Sequence, residues 1–361
     1  MGAPAAFASS EWGECIVPAV APPPALAAEV RRAMGVVPPW LPRVASSPWL
    51  ARAFAGLVGT PVAYMAPELF DLISLVVGQD NSCRYCYGAQ RTLLRVLGYR
   101  EDYISRLERD FNVVELSAAE RAALDFARRL SRADPRATGA DFEAVVRAGL
   151  DRRAVVEVAV SAVANTFANR VATLLALPPE TRLEAMVDRP LFRVVRPLLA
   201  WRLRARRRSP EPPPPEHPPC APVVAALGDS PAAGVLRRTI DEAWTSEVLP
   251  RRTKTLLLAV VGKALGCAAT QAEARELLDG DGFPPEAVDE VLANLASRRL
   301  DALETRLVPF ARETVRYQTG PIQRRFRQVS AGFTPEQILE TVGILALANA
   351  VCRLSVVLEA C

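Results

Sequence analysis

At 361 residues, half of them hydrophobic, the chain is long enough for about two domains with substantial cores. Its formal net charge of +4 is small for this length and makes no electrostatic case for a nucleic-acid partner. The only histidine, His217, sits in a proline-rich stretch, so the folded parts have no imidazole to serve as base, acid or metal ligand. The seven cysteines (Cys15, Cys83, Cys86, Cys220, Cys267, Cys352 and Cys361) are scattered and odd in number, unlike a secreted disulfide scaffold. The first residues lack a basic region and carry Glu11 early, with prolines soon after, which makes a poor secretory leader. No uninterrupted apolar run reaches the roughly 18 residues that cross a bilayer. The stretch 343–357 comes nearest, but Arg353 interrupts it and a buried core helix is expected there. These features predict a soluble, cytoplasmic protein with no membrane partner.

In chain order, residues 1–40 form a Pro- and Ala-rich tail, expected to pack over the first repeat near Trp40 and Trp49. Leu69, Leu72, Ile73, Val76 and Val77 have helical spacing, and residues 78–82 are expected to break that helix. Next comes Cys83-Arg84-Tyr85-Cys86, opening a helix with Cys86, Gln90, Leu93, Leu94 and Leu97 on one stripe. Asn81 or Ser82 is the expected cap. Cys83 then falls in the first turn, where unpaired N–H groups and the helix dipole favour a thiolate. Thiols three residues apart on a helix share a face and can reach a disulfide after modest adjustment. Such a pair is the minimal apparatus for two-electron redox chemistry. As small core residues, the two cysteines would instead be filling.

Ser117-Ala-Ala-Glu120 is a capping box that starts a helix with Ala123, Phe126 and Leu130 inward. A short helix is expected over 141–148, and a long one from Asp151 or Arg152 through Leu175. The long helix is apolar nearly all round, yet Glu157, Ser161, Asn165 and Asn169 recur every four residues. They form either a satisfied polar seam between helices or the wall of a pocket that holds the thiols, with Tyr87 a further candidate lining residue. No segment alternates with period two, so the fold class is all-α.

Residues 199–222 read as a linker, with a basic run (Arg202, Arg204, Arg206, Arg207 and Arg208) followed by a proline-rich tract expected to be extended. The basic run is expected to be a solvated helix end. The halves on either side, 41–198 and 223–361, are related by an offset of 184 residues. That offset carries Cys83 onto Cys267, Gly98 onto Gly282, Phe126-Ala127-Arg128 onto Phe310-Ala311-Arg312, and Ala164-Asn165 onto Ala348-Asn349. Upstream it becomes 183, as for Pro67 and Pro250. A duplicated helical unit that packs as an internal pseudo-dimer is predicted.

The helix, break, C-x-x-C and helix, with Leu116-Ser-Ala-Ala-Glu-Arg-Ala-Ala-Leu-Asp-Phe-Ala127 and Ala164-Asn-Thr-Phe-Ala-Asn-Arg-Val171 after them, resemble the AhpD-like alkylhydroperoxidase / carboxymuconolactone decarboxylase superfamily. The resemblance covers both halves, from about 48 to 175 and from about 231 to 360. It implies two cysteines, here Cys83 and Cys86, cycling between dithiol and disulfide as they reduce a peroxide at the expense of a dithiol or protein reductant. No cofactor is implied. The family's proton-relaying Glu and His fall on Asp71 and Gln90: the acid is shortened and the imidazole is replaced by an amide that cannot exchange a proton near neutral pH. General acid–base help is worth roughly 10²–10⁴-fold, so this departure bears on rate. In the second half the positions are Thr255, Cys267, Thr270 and Ala274, which predicts a degenerate copy with a buried, inert Cys267. The resemblance also implies a homo-oligomer, such as a trimer of fused pairs. Alternative readings are a non-catalytic redox sensor or assembly subunit and, less in keeping with a chain so poor in histidine, a lactone decarboxylase. A zinc site lacks a second thiol pair or a histidine at usable spacing.

Overall fold

The computed structural model describes residues 11–179, 197, 200 and 209–358. Every regular element among them is a helix. In chain order these are α1 (Pro24–Met34), α2 (Leu41–Val44), α3 (Pro48–Val58), α4 (Pro67–Asp80), α5 (Arg84–Leu97), α6 (Glu101–Arg109), α7 (Ala118–Arg132), α8 (Gly139–Arg147) and α9 (Arg152–Leu175). Beyond the linker follow α10 (Ala221–Ala225), α11 (Pro231–Thr245), α12 (Arg251–Leu265), α13 (Ala268–Gly280), α14 (Pro285–Asn294), α15 (Ala302–Glu313), α16 (Thr319–Val329) and α17 (Pro335–Val357).

Local sequence starts these helices where chemistry favours it. Pro48, Pro67, Pro231 and Pro335 each occupy the first helical position, where the missing N–H costs nothing and φ is already set. Capping boxes open α7 (Ser117 with Glu120) and α15 (Asp301 with Glu304). Asp151 caps α9, and the box of Thr138 with Asp141 starts α8 at Gly139, two residues ahead of the expected start. The helix before the cysteines also runs further than expected: α4 continues through Gly78 to Asp80. Gly78 lies inside α4 and packs against the start of α5, where a Cβ would meet Cys86 Cβ at an ordinary contact distance of 3.7 Å, so the glycine does not break the helix.

The two long helices, α9 and α17, pack on each other in the middle of the molecule. Around α9 lie α3, α4, α5 and α7; against α17 lie α11 and α12. By length and composition alone both could cross a membrane, but 100% and 94% of their apolar windows are buried inside the molecule, as in core helices. Each carries one buried carboxylate that ties distant segments together. Glu157 accepts backbone N–H bonds from Ala63 (2.7 Å), Tyr64 (2.9 Å) and Met65 (2.7 Å), and the Ser230 hydroxyl at 3.2 Å. Glu340 pairs with Lys254 Nζ at 2.8 Å and accepts the Trp49 indole N–H. Removing one partner of such a buried pair costs several kcal/mol, on the order of 3–5, because the other charge is stranded.

The tail reaches further than expected. Helix α1 packs on α3, while Trp12 donates to Leu177 O (3.0 Å) and Gly13 N to Gln323 Oε1 of α16 (2.9 Å), strapping the end of α9 to α16. The proline-rich tract is not a free spacer over its described part. His217 Nε2 lies 3.1 Å from the Asp241 carboxylate, Arg237 donates to His217 O (2.8 Å) and Pro219 O (3.0 Å), and Cys220 N donates to Glu273 (2.8 Å). Proline carbonyls are good acceptors with no competing N–H, so a buried Arg237 can hold the strand down. The basic run Arg202–Arg208 lies outside the described residues.

Candidate thiol–disulfide site

Cys83 and Cys86 form a disulfide across a Cα–Cα distance of 5.3 Å. The cap of α5 is Cys83 itself, not Asn81 or Ser82. Its backbone is extended (φ −80°, ψ 93°), and its sulfur accepts the Cys86 N–H at 3.2 Å. Asn81 faces the other way: its amide donates to Val77 O at 3.0 Å, closing α4. Ser82 takes a left-handed φ of 50° to turn the chain between the helices. Cys83 is completely buried and Cys86 is 8% exposed. A thiolate at Cys83 would receive the N–H of Cys86 and the positive end of α5, whereas Cys86 offers the more accessible sulfur.

The corner is braced by ion pairs that sequence patterning does not reveal. Asp80, at the end of α4, accepts from Arg128 (2.7 and 3.2 Å) and Arg132 (2.6 Å) of α7. Tyr87, next to Cys86, donates its hydroxyl to Glu108 Oε1 at 2.7 Å; Arg91 Nε donates to the same oxygen at 2.9 Å and also pairs with Glu101. Burial and the Glu108 carboxylate push the Tyr87 phenol far up, so it remains a proton donor. Each partner lies outside the C-x-x-C segment, and only an i, i+4 spacing (Tyr87 to Arg91) hints at the network.

Asp71 is buried on α4, three residues before Ser74 and seven before Gly78, on the face toward α5 and α9. Gln90 is half-buried one turn after Cys86. Most of the polar groups of the α9 stripe are hydrogen-bonded within the helix or to neighbouring segments, while Asn169 Oδ1 is buried without a partner among the described residues. Asn165 donates to Ser74 Oγ (3.0 Å) and to Ser161 O (2.8 Å), Asn169 to Val77 O (3.2 Å), and the Ser161 hydroxyl to Glu157 O (2.7 Å). The stripe therefore tethers α9 to α4, the helix that delivers the cysteines.

The second corner repeats the backbone geometry without the C-x-x-C pair. Cys267 caps α13 with φ −85° and ψ 98°, and its sulfur lies 3.0 Å from Thr270 Oγ1 at the position of the second thiol. Thr255 and Ala274 are buried there. Cys267 is buried, as expected, but it is not a free thiol: it is disulfide-bonded. Cys220 and Cys352 are buried nearby, and burial pushes the Cys352 thiol up to about 12 and the Cys220 thiol well up, so both stay protonated. Among the described residues no three His, Cys, Asp or Glu side chains converge as metal ligands.

Comparison with protein-family models, with curated proteins and with solved structures gives no match for this chain.

Proposed function

We propose that the protein is a thiol-dependent peroxidase or thiol–disulfide oxidoreductase that works through the Cys83/Cys86 couple. The reading is supported above all by the paired sulfurs at the start of α5, with an N–H directed at one of them. In the reaction a thiolate attacks the terminal oxygen of a hydroperoxide. The O–O bond breaks, the alcohol leaves with one proton, and the cysteine becomes a sulfenic acid. The second thiol displaces water from the sulfenic sulfur and forms the disulfide. An external dithiol then reduces the disulfide by two exchange steps and is itself oxidised. Asp71 is the carboxylate proposed to manage the proton, and Gln90 the amide that holds the peroxide oxygen or thiolate by a hydrogen bond. Cytoplasmic location, a fused pseudo-dimer built from the two helical units, and assembly of several copies belong to the same proposal.

The test is peroxide consumption by reduced protein with a dithiol recycler, in the wild type, Cys83→Ser and Cys86→Ser. The reading requires multiple turnovers in the wild type and none above background in either variant. Full turnover in Cys86→Ser would refute the paired-thiol mechanism. A second reading, a non-catalytic redox sensor, is favoured by the burial of both sulfurs. It predicts that the disulfide forms once and that no turnover follows with recycler present.

A further inference from the structure

A cavity of about 550 Å³ opens beside the first cysteine corner, between Asn81-Ser82, Arg132 and Arg170 on one side and 315–321 on the other. Its counterpart beside the second corner holds only about 10 Å³ and is lined by Arg136, Leu265 and Arg353. One residue explains the difference. Arg136 fills the second corner by lying against Gly266 and donating to Leu265 O. The 184-residue offset carries Arg136 onto Gly320, which has no side chain to fill the first.

The walls of the open cavity are charged, but most charges are already matched: Arg132 with Asp80, Arg316 with Asp134, and Glu11 with Arg324. Arg170 is the exception. It is 1% exposed and, among the described residues, bonded only to the carbonyls of Thr166, Thr314 and Val315. That leaves two of its five N–H groups and its whole charge without an anion. Arg353 lies behind it, also buried and, among the described residues, bonded only to carbonyls. Burial pushes both guanidinium groups down, and the Arg170 charge pushes Arg353 down further. The Tyr317 ring lies 5.3 Å from the Arg170 guanidinium, and its buried hydroxyl has no hydrogen-bond partner. The N-terminus of α16 also lines the cavity, and its cap residue Gln318 makes no side-chain bond to the helix. A buried cation, an unpartnered phenol and an open helix N-terminus around one space are what an oxyanion satisfies.

We propose that this cavity binds a small organic carboxylate, with the anionic head at Arg170, Tyr317 and the start of α16. The organic part is called for by the volume, far larger than an inorganic ion fills, and by the apolar surface of Val315, Pro321 and the Tyr317 ring. This site is distinct from the disulfide and does not depend on thiol chemistry.

The test is calorimetric titration and thermal denaturation of the full chain with benzoate, its neutral isostere benzamide, and inorganic phosphate. Benzoate is expected to bind and to raise Tm with concentration, benzamide not to bind, and phosphate to bind at least tenfold more weakly. Gly320→Arg, with its helical circular dichroism preserved, installs the plug found at the other corner and should abolish benzoate binding. Its Cβ meets Glu11 and Arg324 side chains at 3.3–3.5 Å, and both can shift. Tyr317→Phe should weaken binding about tenfold. No benzoate binding at millimolar concentration, phosphate binding as tight as benzoate, or benzoate binding unchanged in Gly320→Arg would each overturn the proposal.

Discussion

The two cysteine corners have nearly the same backbone and opposite contents. Cys83 N donates to Gly78 O at 3.1 Å and Cys267 N to Gly262 O at 2.8 Å, and each cysteine caps its helix in an extended conformation. At the first, a second cysteine, a buried carboxylate on α4 and an open cavity surround the turn. At the second, Thr270 replaces the second thiol, Thr255 and Ala274 replace Asp71 and Gln90, and Arg136 fills the space. A helix–turn–helix corner of this kind therefore stands without a second cysteine in its first turn, although Cys267 is itself disulfide-bonded. The pair at the first corner is then an addition that packing alone does not require, and this is the strongest structural support for a redox role.

The comparison can be broken most sharply by Cys86→Ser, which makes the first corner resemble the second. Peroxide turnover should fall to background while the helical circular dichroism spectrum stays the same. Next in size is the contrast in thiol reactivity. In the reduced protein at pH 8, a thiol held up to about 12, such as Cys352, is thiolate only to about one part in 10⁴. At Cys83 the Cys86 N–H and the positive end of α5 favour the thiolate form. Iodoacetamide labelling followed by peptide mass mapping should therefore modify Cys83 or Cys86 long before Cys220 or Cys352. Equal labelling rates would place the pair among the inert core thiols. Gln90→His supplies the missing imidazole and should raise peroxide turnover by up to about 10²-fold, with a new dependence on a group titrating near pH 6–7. An unchanged rate and pH profile would remove Gln90 from the site.

Two stability measurements sharpen the comparison from the other side. Arg136→Gly removes the plug and its charged hydrogen bond to Leu265 O, and should cost about 1.5–3 kcal/mol by urea denaturation. The smallest effect is at the turn itself, where the first corner has Ser82 at φ 50° and the second has Gly266 at φ 69°. Ser82→Gly should stabilise by about 0.5–1 kcal/mol because glycine takes the left-handed region without strain. Gly266→Ser should destabilise, since its Cβ would collide with the Arg136 guanidinium.

The helices were legible because their signals are local. The Ser117–Glu120 box, Asp151 before α9 and the apolar Ala154–Leu175 run each state a start or a burial within a few residues. Less legible was the cap at Cys83: Asn81 and Ser82 are better capping types, but Asn81 bonds back to α4 and the turn places the sulfur, not the hydroxyl, over the helix. The polar stripe of α9 left two readings open because its partners, Ser74 and Val77, lie about 90 residues away. A separation of about 50 residues hid the Asp80–Arg128–Arg132 brace, and the Arg136 plug is visible only once the two corners are superimposed in space. The proline-rich tract misleads for a physical reason as well: it cannot form a core, yet its carbonyls can be held by a single buried arginine, Arg237.

The most direct measurement is to expose the fully reduced protein to one equivalent of cumene hydroperoxide, quench with an alkylating reagent and map the cysteines by mass. The account predicts that one equivalent of peroxide is consumed, with Cys83 and Cys86 recovered as a disulfide-linked peptide. Recovery of both cysteines alkylated, with the peroxide intact, would contradict it.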